Sequence, residues 1–315
     1  MSPLLASPSP DAAIEIAAEA VTVAAVTWRG HDPSVQAYAF ESLPPGVVTP
    51  SLAPRNVTVR AAVVEAVRAA LDRADLRPRR VALVIPDTAA RVSLVRFDHV
   101  PERREDLEQL VRWQLRKAAP FPMDDAAVSY APSLQLADGG GEFVVVMARR
   151  AIVREYESVC EELGFHPGLV DLSTLSVLHL FASSDPPQGD WLVVHVRPDY
   201  LSVAIMRGQN LIFFRNRPEG DGESLIEVVH QTAMYYQDRL AGKGFARVLL
   251  GGADTTALEA ARHNMEHRLG LSVESIDATR VAALTNRIAA PADVAARLAP
   301  AVGVLLRTRR EAVAA

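Results

Sequence analysis

An order of predicted elements that occurs twice is the feature that most constrains the fold of this sequence. In residues 13–86 the spacing of apolar residues predicts three short strands, then a helix and one more strand that ends at Pro86. Residues 191–252 repeat this order, and their last strand ends at Gly251-Gly252. The two copies share an order of elements and not a sequence. A three-strand meander, a helix and a further strand, present twice, predict a duplicated α/β fold of two lobes.

An insertion separates the two copies. Its first predicted helix stops at Pro120-Phe121-Pro122, because proline removes a backbone donor and restricts the residue before it. A hairpin and a second helix, which Gly164 ends, complete a small α+β subdomain. The predicted division is a tail (1–12), the first part of lobe one (13–86), the insertion (87–165), a helix returning to lobe one (166–190), lobe two with a C-terminal helix (191–310) and a tail (311–315).

Composition excludes several classes of function. The chain has 315 residues, a net charge of −5 and one cysteine, Cys160. The charge favours no nucleic acid, and a single cysteine rules out an internal disulfide, as is typical of a reducing compartment. No apolar run approaches the roughly 20 residues of a membrane helix, and the first twelve residues do not read as a secretory signal. We therefore expect a cytoplasmic protein that reaches a membrane only through a partner.

The element order resembles the actin/Hsp70/sugar-kinase superfamily, whose shared core is a ribonuclease H-like fold. The insertion and the C-terminal segment resemble a narrower group, the PilM family of type IV pilus assembly proteins. The residues that carry this resemblance are Leu110-Val111-Arg112-Trp113 running to Pro120-Phe121-Pro122, the Tyr130 strand, Val145 to Arg150, Leu163-Gly164-Phe165, Arg215 to Leu225, and Leu298 to Arg307. The likeness extends over nearly the whole chain after residue 12.

The resemblance implies a cytoplasmic scaffold that lies peripherally at the inner membrane. Such a scaffold binds the N-terminal cytoplasmic peptide of a bitopic membrane protein, PilN, in a groove formed with the inserted subdomain, and it connects the membrane platform to the motor ATPase. Trp113, Pro120, Phe121 and Pro122 are the candidates for that groove, since exposed aromatic residues and prolines often line peptide sites. The alternative is that Phe121 packs under the insertion and Trp113 covers the flank of its helix. Self-association stays open.

The resemblance also implies a nucleotide site, which two hairpins bearing Asp-x-Gly form around ATP and Mg²⁺. In the first hairpin Glu15 keeps a carboxylate, but alanine replaces the glycine and Glu19 adds negative charge. In the second, His195 and Arg197 replace the aspartate and the glycine. Histidine is a poor magnesium ligand because that ion prefers oxygen. Arg197 could pair with a phosphate, although a surface arginine is the simpler interpretation.

The turn Gly251-Gly252-Ala253 resembles the part of such a site that contacts adenosine. With Glu15 and Arg197 it makes up a residual nucleotide site, in which we expect binding of ATP and magnesium to be weak or lost. No catalytic residue is assigned. An active ATPase or small-molecule kinase is the alternative, and it would need an aspartate base in the cleft; Asp87 could face the cleft or cap a turn. A type II secretion scaffold of the same fold is a further alternative.

One sequence pattern suggests a metal. His263 to His267 matches the H-x-x-E-H pattern of some zinc peptidases. The two histidines lie opposite the predicted buried stripe of their helix, and no further ligand stands at a convincing position. We therefore predict no metal site.

Overall fold

A computed structural model of the chain describes residues 9–53, 55–136, 139–184, 188–220, 222–252, 255–285 and 291–314. Most of the predicted N-terminal tail and Ala253 of the predicted adenosine turn lie outside these residues. The strands are β1 (Ala12–Ile16), β2 (Ala20–Arg29), β3 (Asp32–Ser42), β4 (Arg80–Ile85), β5 (Ala90–Phe97), β6 (Ala126–Gln135), β7 (Gly141–Arg149), β8 (His166–Leu172), β9 (Asp190–Val196), β10 (Tyr200–Arg207), β11 (Asn210–Pro218), β12 (Phe245–Gly252), β13 (Val273–Ser275) and β14 (Ala283–Leu284). The helices are α1 (Arg60–Arg73), α2 (Arg104–Leu115), α3 (Arg150–Glu162), α4 (Ser173–Ser184), α5 (Leu225–Arg239), α6 (Thr255–Leu269) and α7 (Ala292–Ala314).

Two sheets of the same topology confirm the predicted duplication. The first has the spatial order β14-β3-β2-β1-β4-β8, and the second has the order β11-β10-β9-β12-β13. In each sheet, three strands form an antiparallel meander. The fourth strand of the copy pairs in parallel with the first strand of the meander on one side and with a fifth strand on the other. Parallel strands need a crossover connection, which is usually a helix. The predicted helix of each copy, α1 in the first and α5 in the second, supplies it.

One hydrophobic core contains residues of both lobes, and it lies around helices α4 and α7. Apolar residues of both helices pack with Ala82 and Val84 of the first sheet and with Val193 and Leu249 of the second. Gly303 lets the helices approach closely, because a Cβ atom there would overlap the carbonyl oxygen of Ser176 on α4. The C-terminal helix was predicted to belong to lobe two. It instead lies between the lobes and contacts β1, β2 and β4 as well as α4.

The insertion is a three-stranded antiparallel sheet covered by one helix. Its strands have the order β5-β7-β6, and α2 packs on one face. The small core on that face contains Val111 and Leu115 of α2 with Val145 and Met147 of β7. The other face of the sheet is turned toward the first lobe.

Four strands escaped the prediction: β5, β8 and the short strands β13 and β14. The alternation of apolar and polar residues in β5 breaks at Leu94-Val95, and β8 begins with His-Pro-Gly, which ordinarily indicates a turn. In the structure that segment is a strand, and the irregular register between β4 and β8 falls where Pro167 and Gly168 stand.

Two helices also depart from the predicted division. The second helix of the predicted insertion, α3, packs instead in the core of lobe one, where Tyr156 and Cys160 lie beside Val63 and Val67 of α1. Helix α7 continues through residue 314, into the predicted C-terminal tail. No helix in the part of the chain that the structure describes is long and apolar enough to cross a membrane.

Candidate functional site

An ion-pair bridge joins the two hairpins of the cleft between the lobes. Arg197, just after β9, places its Nη2 atom 2.7 Å from Oε1 of Glu19 and 3.6 Å from Oε1 of Glu15. Both glutamates belong to the β1–β2 hairpin of the opposite lobe. Glu15 is 1% exposed and Arg197 is 8% exposed. The interpretation of Arg197 as a surface arginine is therefore wrong, because its guanidinium is buried between two carboxylates.

A second set of hydrogen bonds continues the bridge deeper in the cleft. Asp87 accepts hydrogen bonds from the backbone N–H of Thr174 and from the hydroxyl of Ser202, which in turn accepts one from the side chain of Asn216. The hydroxyl of Thr174 lies 2.8 Å from Nδ1 of His195. Asp87 thus faces the cleft, and it connects α4 to the second lobe.

The start of α4 also holds Glu15. The hydroxyl of Ser173 donates to Oε1 of Glu15 over 2.9 Å. The first residues of α4 therefore contact Glu15 and Asp87 of lobe one and His195 of lobe two. The start of α4 thus contacts the two hairpins that flank the cleft.

Burial sets the protonation behaviour of these groups. It raises the pKa of Glu15, against the opposing effect of Arg197. It also raises the pKa of Asp87, despite the hydrogen bonds from Ser202 and Thr174. Burial, together with the charge of Arg197, lowers the pKa of His195 to about 3, so the imidazole is neutral at pH 7. Burial alone would lower the pKa of Arg197, but Glu15 and Glu19 hold it above its usual value.

The two glycines of the predicted adenosine turn are explained by packing. A Cβ atom at Gly252 would overlap the backbone carbonyl of Val196 on the neighbouring strand, and one at Gly251 would overlap the side chain of Ile276. Both positions therefore need glycine whether or not a ligand is present. The Gly251-Gly252 pair is therefore explained by close packing of the strand, and it is not separate evidence for an adenosine site.

The cleft residues do not fit a magnesium–nucleotide complex. Where phosphate oxygens would approach, Glu15 and Glu19 present negative charge, and the one guanidinium between them is already paired. No group of three or more His, Cys, Asp or Glu residues with metal-binding geometry occurs in the described ranges. In the H-x-x-E-H pattern, Glu266 accepts a hydrogen bond from the backbone N–H of Val273 and lies near Arg262.

A second candidate site is an apolar groove between the insertion and the first lobe. It encloses about 450 Å³. One wall is the insertion sheet, with residues 127–133 of β6 and Val144, Val146 and Ala148 of β7. Another is lobe one, with residues 169–172 of β8 and Leu175, Leu178 and His179 of α4. Met206 and residues 209–211 of lobe two also line the groove, and the hydroxyl of Ser133 on β6 donates to the carbonyl oxygen of Leu211. At one end Asp171 is paired with Arg307 at 2.9 Å. The groove is otherwise lined mainly by apolar side chains, as ligand sites commonly are.

Small side chains on β6 create the space in this groove. Ala126, Val128 and Tyr130 face the core under α2. Because side chains alternate across a strand, Ala127, Ser129 and Ala131 face the opposite side, toward lobe one. Larger residues at these positions would fill the groove. The alternation of small residues was visible in the sequence, but no distinctive residue type marked it.

The four predicted peptide-site residues lie elsewhere on the insertion. Trp113 is 65% exposed on α2. Phe121 packs with the insertion's own core, and Pro120 and Pro122 are exposed beside it. None of the four lines the groove. Their role in peptide binding stays a prediction.

The topology of the sheets and a match to a solved structure together define the fold class of this protein. A duplicated five-strand topology, a cleft between the lobes and a subdomain inserted after the first β-α-β unit define an actin-like fold. A structure described as a Bacteroides thetaiotaomicron protein with actin-like ATPase fold and unknown function matches with a TM-score of 0.50 at 9% identity, over 87% of this chain and 93% of that one. No curated protein sequence matches significantly.

The family is narrower than the fold. The model of the type IV pilus assembly protein PilM family matches residues 13–243, and the chain belongs to that family. A chain of a solved structure described as the PilM-PilN type IV pilus biogenesis complex matches with a TM-score of 0.81 at 19% identity. The match covers 96% of this chain and 99% of that one. Membership in the PilM family confirms the resemblance read from the sequence.

Proposed function

We propose that this protein is a scaffold of the type IV pilus inner-membrane platform that binds the N-terminal cytoplasmic peptide of a PilN-like bitopic protein. The observation that carries the proposal is the apolar groove of about 450 Å³ beside the inserted subdomain. Its size and lining suit several apolar side chains of a peptide and offer few groups for chemistry. Family membership supports the pilus role, and the name of the matched complex supports the choice of partner.

The proposal places the protein in the cytoplasm, held at the inner membrane by its partner. Direct contact with the motor ATPase and self-association are parts of the wider prediction that the groove does not address. The groove accounts for one link only, the one between this chain and the membrane protein.

The cleft supports a second part of the proposal, that the scaffold works without nucleotide turnover. The bridge from Arg197 to Glu15 and Glu19 connects the two hairpins directly, so the lobes are held together by side chains of the protein itself. Asp87, the carboxylate an enzyme could use as a base, already accepts two hydrogen bonds. We therefore expect little or no ATP hydrolysis.

Peptide binding tests the scaffold role. A fluorescein-labelled peptide from the N-terminus of the PilN-like protein of the same genome is titrated with the full chain, and its anisotropy is recorded. We expect saturable binding that an unlabelled peptide competes away and a peptide of scrambled order does not. Equal binding of the native and scrambled peptides, or no binding of either, contradicts the proposal.

Hydrolysis tests the second part separately. Release of phosphate from magnesium-ATP is compared between the wild-type protein and the Glu15→Ala variant. We expect both to stay at the background rate. Robust turnover that Glu15→Ala abolishes would show an active ATPase and overturn this part of the proposal, while the peptide result would stand.

A further inference from the structure

Trp113 has the most exposed large apolar side chain among the described residues. It lies on α2 and is 65% exposed. The buried residues of this helix, Val111 and Leu115, face the small core of the insertion, so the indole is on the outer side of the helix. A single exposed apolar residue is common on protein surfaces. The charges around this one therefore decide what it indicates.

Two basic residues follow this tryptophan on the same face. Arg116 and Lys117 stand three and four residues after Trp113, the spacing at which helical side chains are neighbours. The helical turn continues past Leu115, because the backbone N–H of Ala119 donates to the carbonyl oxygen of Leu115. Both basic side chains are exposed. The end of α2 thus presents an indole beside two cations.

Two further cations lie at the same end of the helix. The guanidinium of Arg112 donates to the carbonyl oxygen of Met123, and that of Arg91, on β5, donates to the carbonyl oxygen of Ala118. These acceptors are neutral, so they position the two guanidinium groups without cancelling their charge. With the tryptophan, the four cations form a basic patch: Arg91, Arg112, Trp113, Arg116 and Lys117.

Acidic side chains offset the charge of the basic patch only in part. Two lie near it, Glu108 on α2 and Asp124 in the loop that follows. Asp125 in the same loop pairs with Arg149. The acidic residues in the first turn of α2 are about 15 Å from Arg116 along the helix, beyond the Debye length of about 8 Å at physiological salt. Four cations and two nearby anions leave a net charge of +2.

We infer that the basic patch contacts the surface of a bilayer that carries anionic phospholipids, with Trp113 at the level of the headgroups. Tryptophan is enriched at the interface between membrane and water, because its ring is apolar and its N–H is polar. Each lysine or arginine near an anionic bilayer strengthens binding about fivefold. The basic patch combines both kinds of residue on one exposed face.

The position of the basic patch favours a bilayer over the surface of an acidic protein. Arg91 follows Ala90, which lines the apolar groove, so the patch and the groove belong to the same part of the molecule. A bitopic protein bound in that groove would hold the patch close to the membrane, and in this respect the inference rests on the proposed function. Stable attachment to a membrane ordinarily takes two signals. The partner supplies one of them and the basic patch supplies the other.

Vesicle flotation tests the inference with the full chain alone. Vesicles of phosphatidylcholine are compared with vesicles that also contain phosphatidylglycerol, over lipid concentrations up to the millimolar range. We expect at least tenfold stronger partitioning onto the anionic vesicles, and added salt should reduce it. Arg116→Glu combined with Lys117→Glu should abolish this preference. Arg79→Glu combined with Arg80→Glu makes the same change of net charge at exposed positions at the start of β4, and it should retain the preference.

Tryptophan fluorescence tests the position of the indole. Trp191 is fully buried and Trp28 is half-buried beside the guanidinium of Arg309, so Trp113 is the tryptophan that lipid can reach. Anionic vesicles with brominated acyl chains should quench part of the emission of the wild-type protein and none of that of Trp113→Phe. Binding without this quenching would contradict the placement of Trp113 at the bilayer.

Two results of the flotation experiment overturn the inference. They are equal partitioning onto the two kinds of vesicle, including none on either, and an equal loss in both double variants. An acidic protein surface would then be the better occupant of the basic patch. Peptide binding is measured in solution without lipid, so the proposed function stands or fails separately from this result.

Discussion

The interlobe cleft and the insertion groove are both recesses between subdomains, yet they treat their polar groups in opposite ways. In the cleft, charged groups of the two lobes form ion pairs with one another, as with Arg197 between Glu15 and Glu19. In the groove, small and apolar side chains leave open volume, and β6 pairs with β7 alone among the strands that the structure describes. The cleft is thus bridged by side chains of the chain itself, whereas the groove keeps an open volume of about 450 Å³.

This difference bears on the proposed function. Arg197 of one hairpin contacts Glu15 and Glu19 of the other directly, so the contact between the hairpins involves no ligand. The groove beside the inserted subdomain offers open apolar volume instead. The proposed scaffold role therefore predicts that a partner binds at the groove and not at the cleft.

The largest effect is expected from breaking the cleft bridge. Arg197→Met removes the cation and leaves Glu15 buried without its partner, which should lower the free energy of unfolding by about 3–5 kcal/mol. Adding Glu15→Gln should recover a substantial part, because the uncompensated charge is then gone. Urea denaturation monitored by circular dichroism gives both values.

A matched control for this prediction lies on the surface. Arg262 pairs with Glu259 on the same helix, and its side chain is 33% exposed. Arg262→Met should cost less than about 1 kcal/mol, as exposed pairs do. A loss of similar size at Arg197 would mean that the cleft bridge contributes no more than a surface pair.

The second prediction concerns acid. Burial and the charge of Arg197 lower the pKa of His195 from 6.5 to about 3 in the folded chain. Below pH 6.5 the unfolded chain therefore binds the additional proton, and stability falls as the pH falls. The slope for one proton is at most about 1.4 kcal/mol per pH unit. Relative to His195→Asn, which retains a hydrogen-bonding group for Thr174, the wild-type protein should lose about 2 kcal/mol more between pH 7 and pH 5.

Urea denaturation of both proteins at the two pH values checks this difference. The opposite shifts of Glu15 and Asp87 are present in both proteins and cancel in the comparison to first order. Parallel pH curves for the two proteins would show that His195 is not held neutral by its burial.

The third prediction separates two candidate peptide sites. Ala131→Trp fills the groove and should weaken binding of the PilN-like peptide at least tenfold, about 1.4 kcal/mol, with little change in thermal stability because Ala131 is exposed. Trp113→Ala, on the other side of the insertion, should leave the affinity unchanged. The reverse result would favour the site at Trp113, Pro120, Phe121 and Pro122 over the groove.

The sequence predicts this molecule well where local pattern and structure coincide. The strands and helices of both copies follow apolar periodicity, so the duplication could be read directly. Glu15 and Arg197 stood out because they replace or modify the residues of a known pattern. The sequence could not show that these two residues contact each other across the cleft. Their pairing depends on the relative position of two hairpins about 180 residues apart in the chain.

The groove escaped prediction for a different physical reason. It is defined by what is missing, namely side-chain volume at Ala127, Ser129 and Ala131. Alanine and serine in a strand carry no chemical signal. Trp113 and Phe121 attracted attention because aromatic residues are conspicuous in a sequence, whether they bind a partner, pack in a core or lie exposed.

The smallest expected effect is that of nucleotide on stability, and it compares the two recesses in one measurement. A ligand present at 100 times its Kd stabilises a folded protein by about 2.7 kcal/mol, which for a chain of this size raises Tm by several degrees. Magnesium-ATP at millimolar concentration should shift Tm by less than about 1 °C, since the bridged cleft gives it no site. The PilN-like peptide, at a comparable multiple of its Kd, should raise Tm by several degrees. A large shift with magnesium-ATP that Arg197→Met alters would mean that the bridge opens to admit a nucleotide, and the cleft would then be a regulated site in place of a closed one.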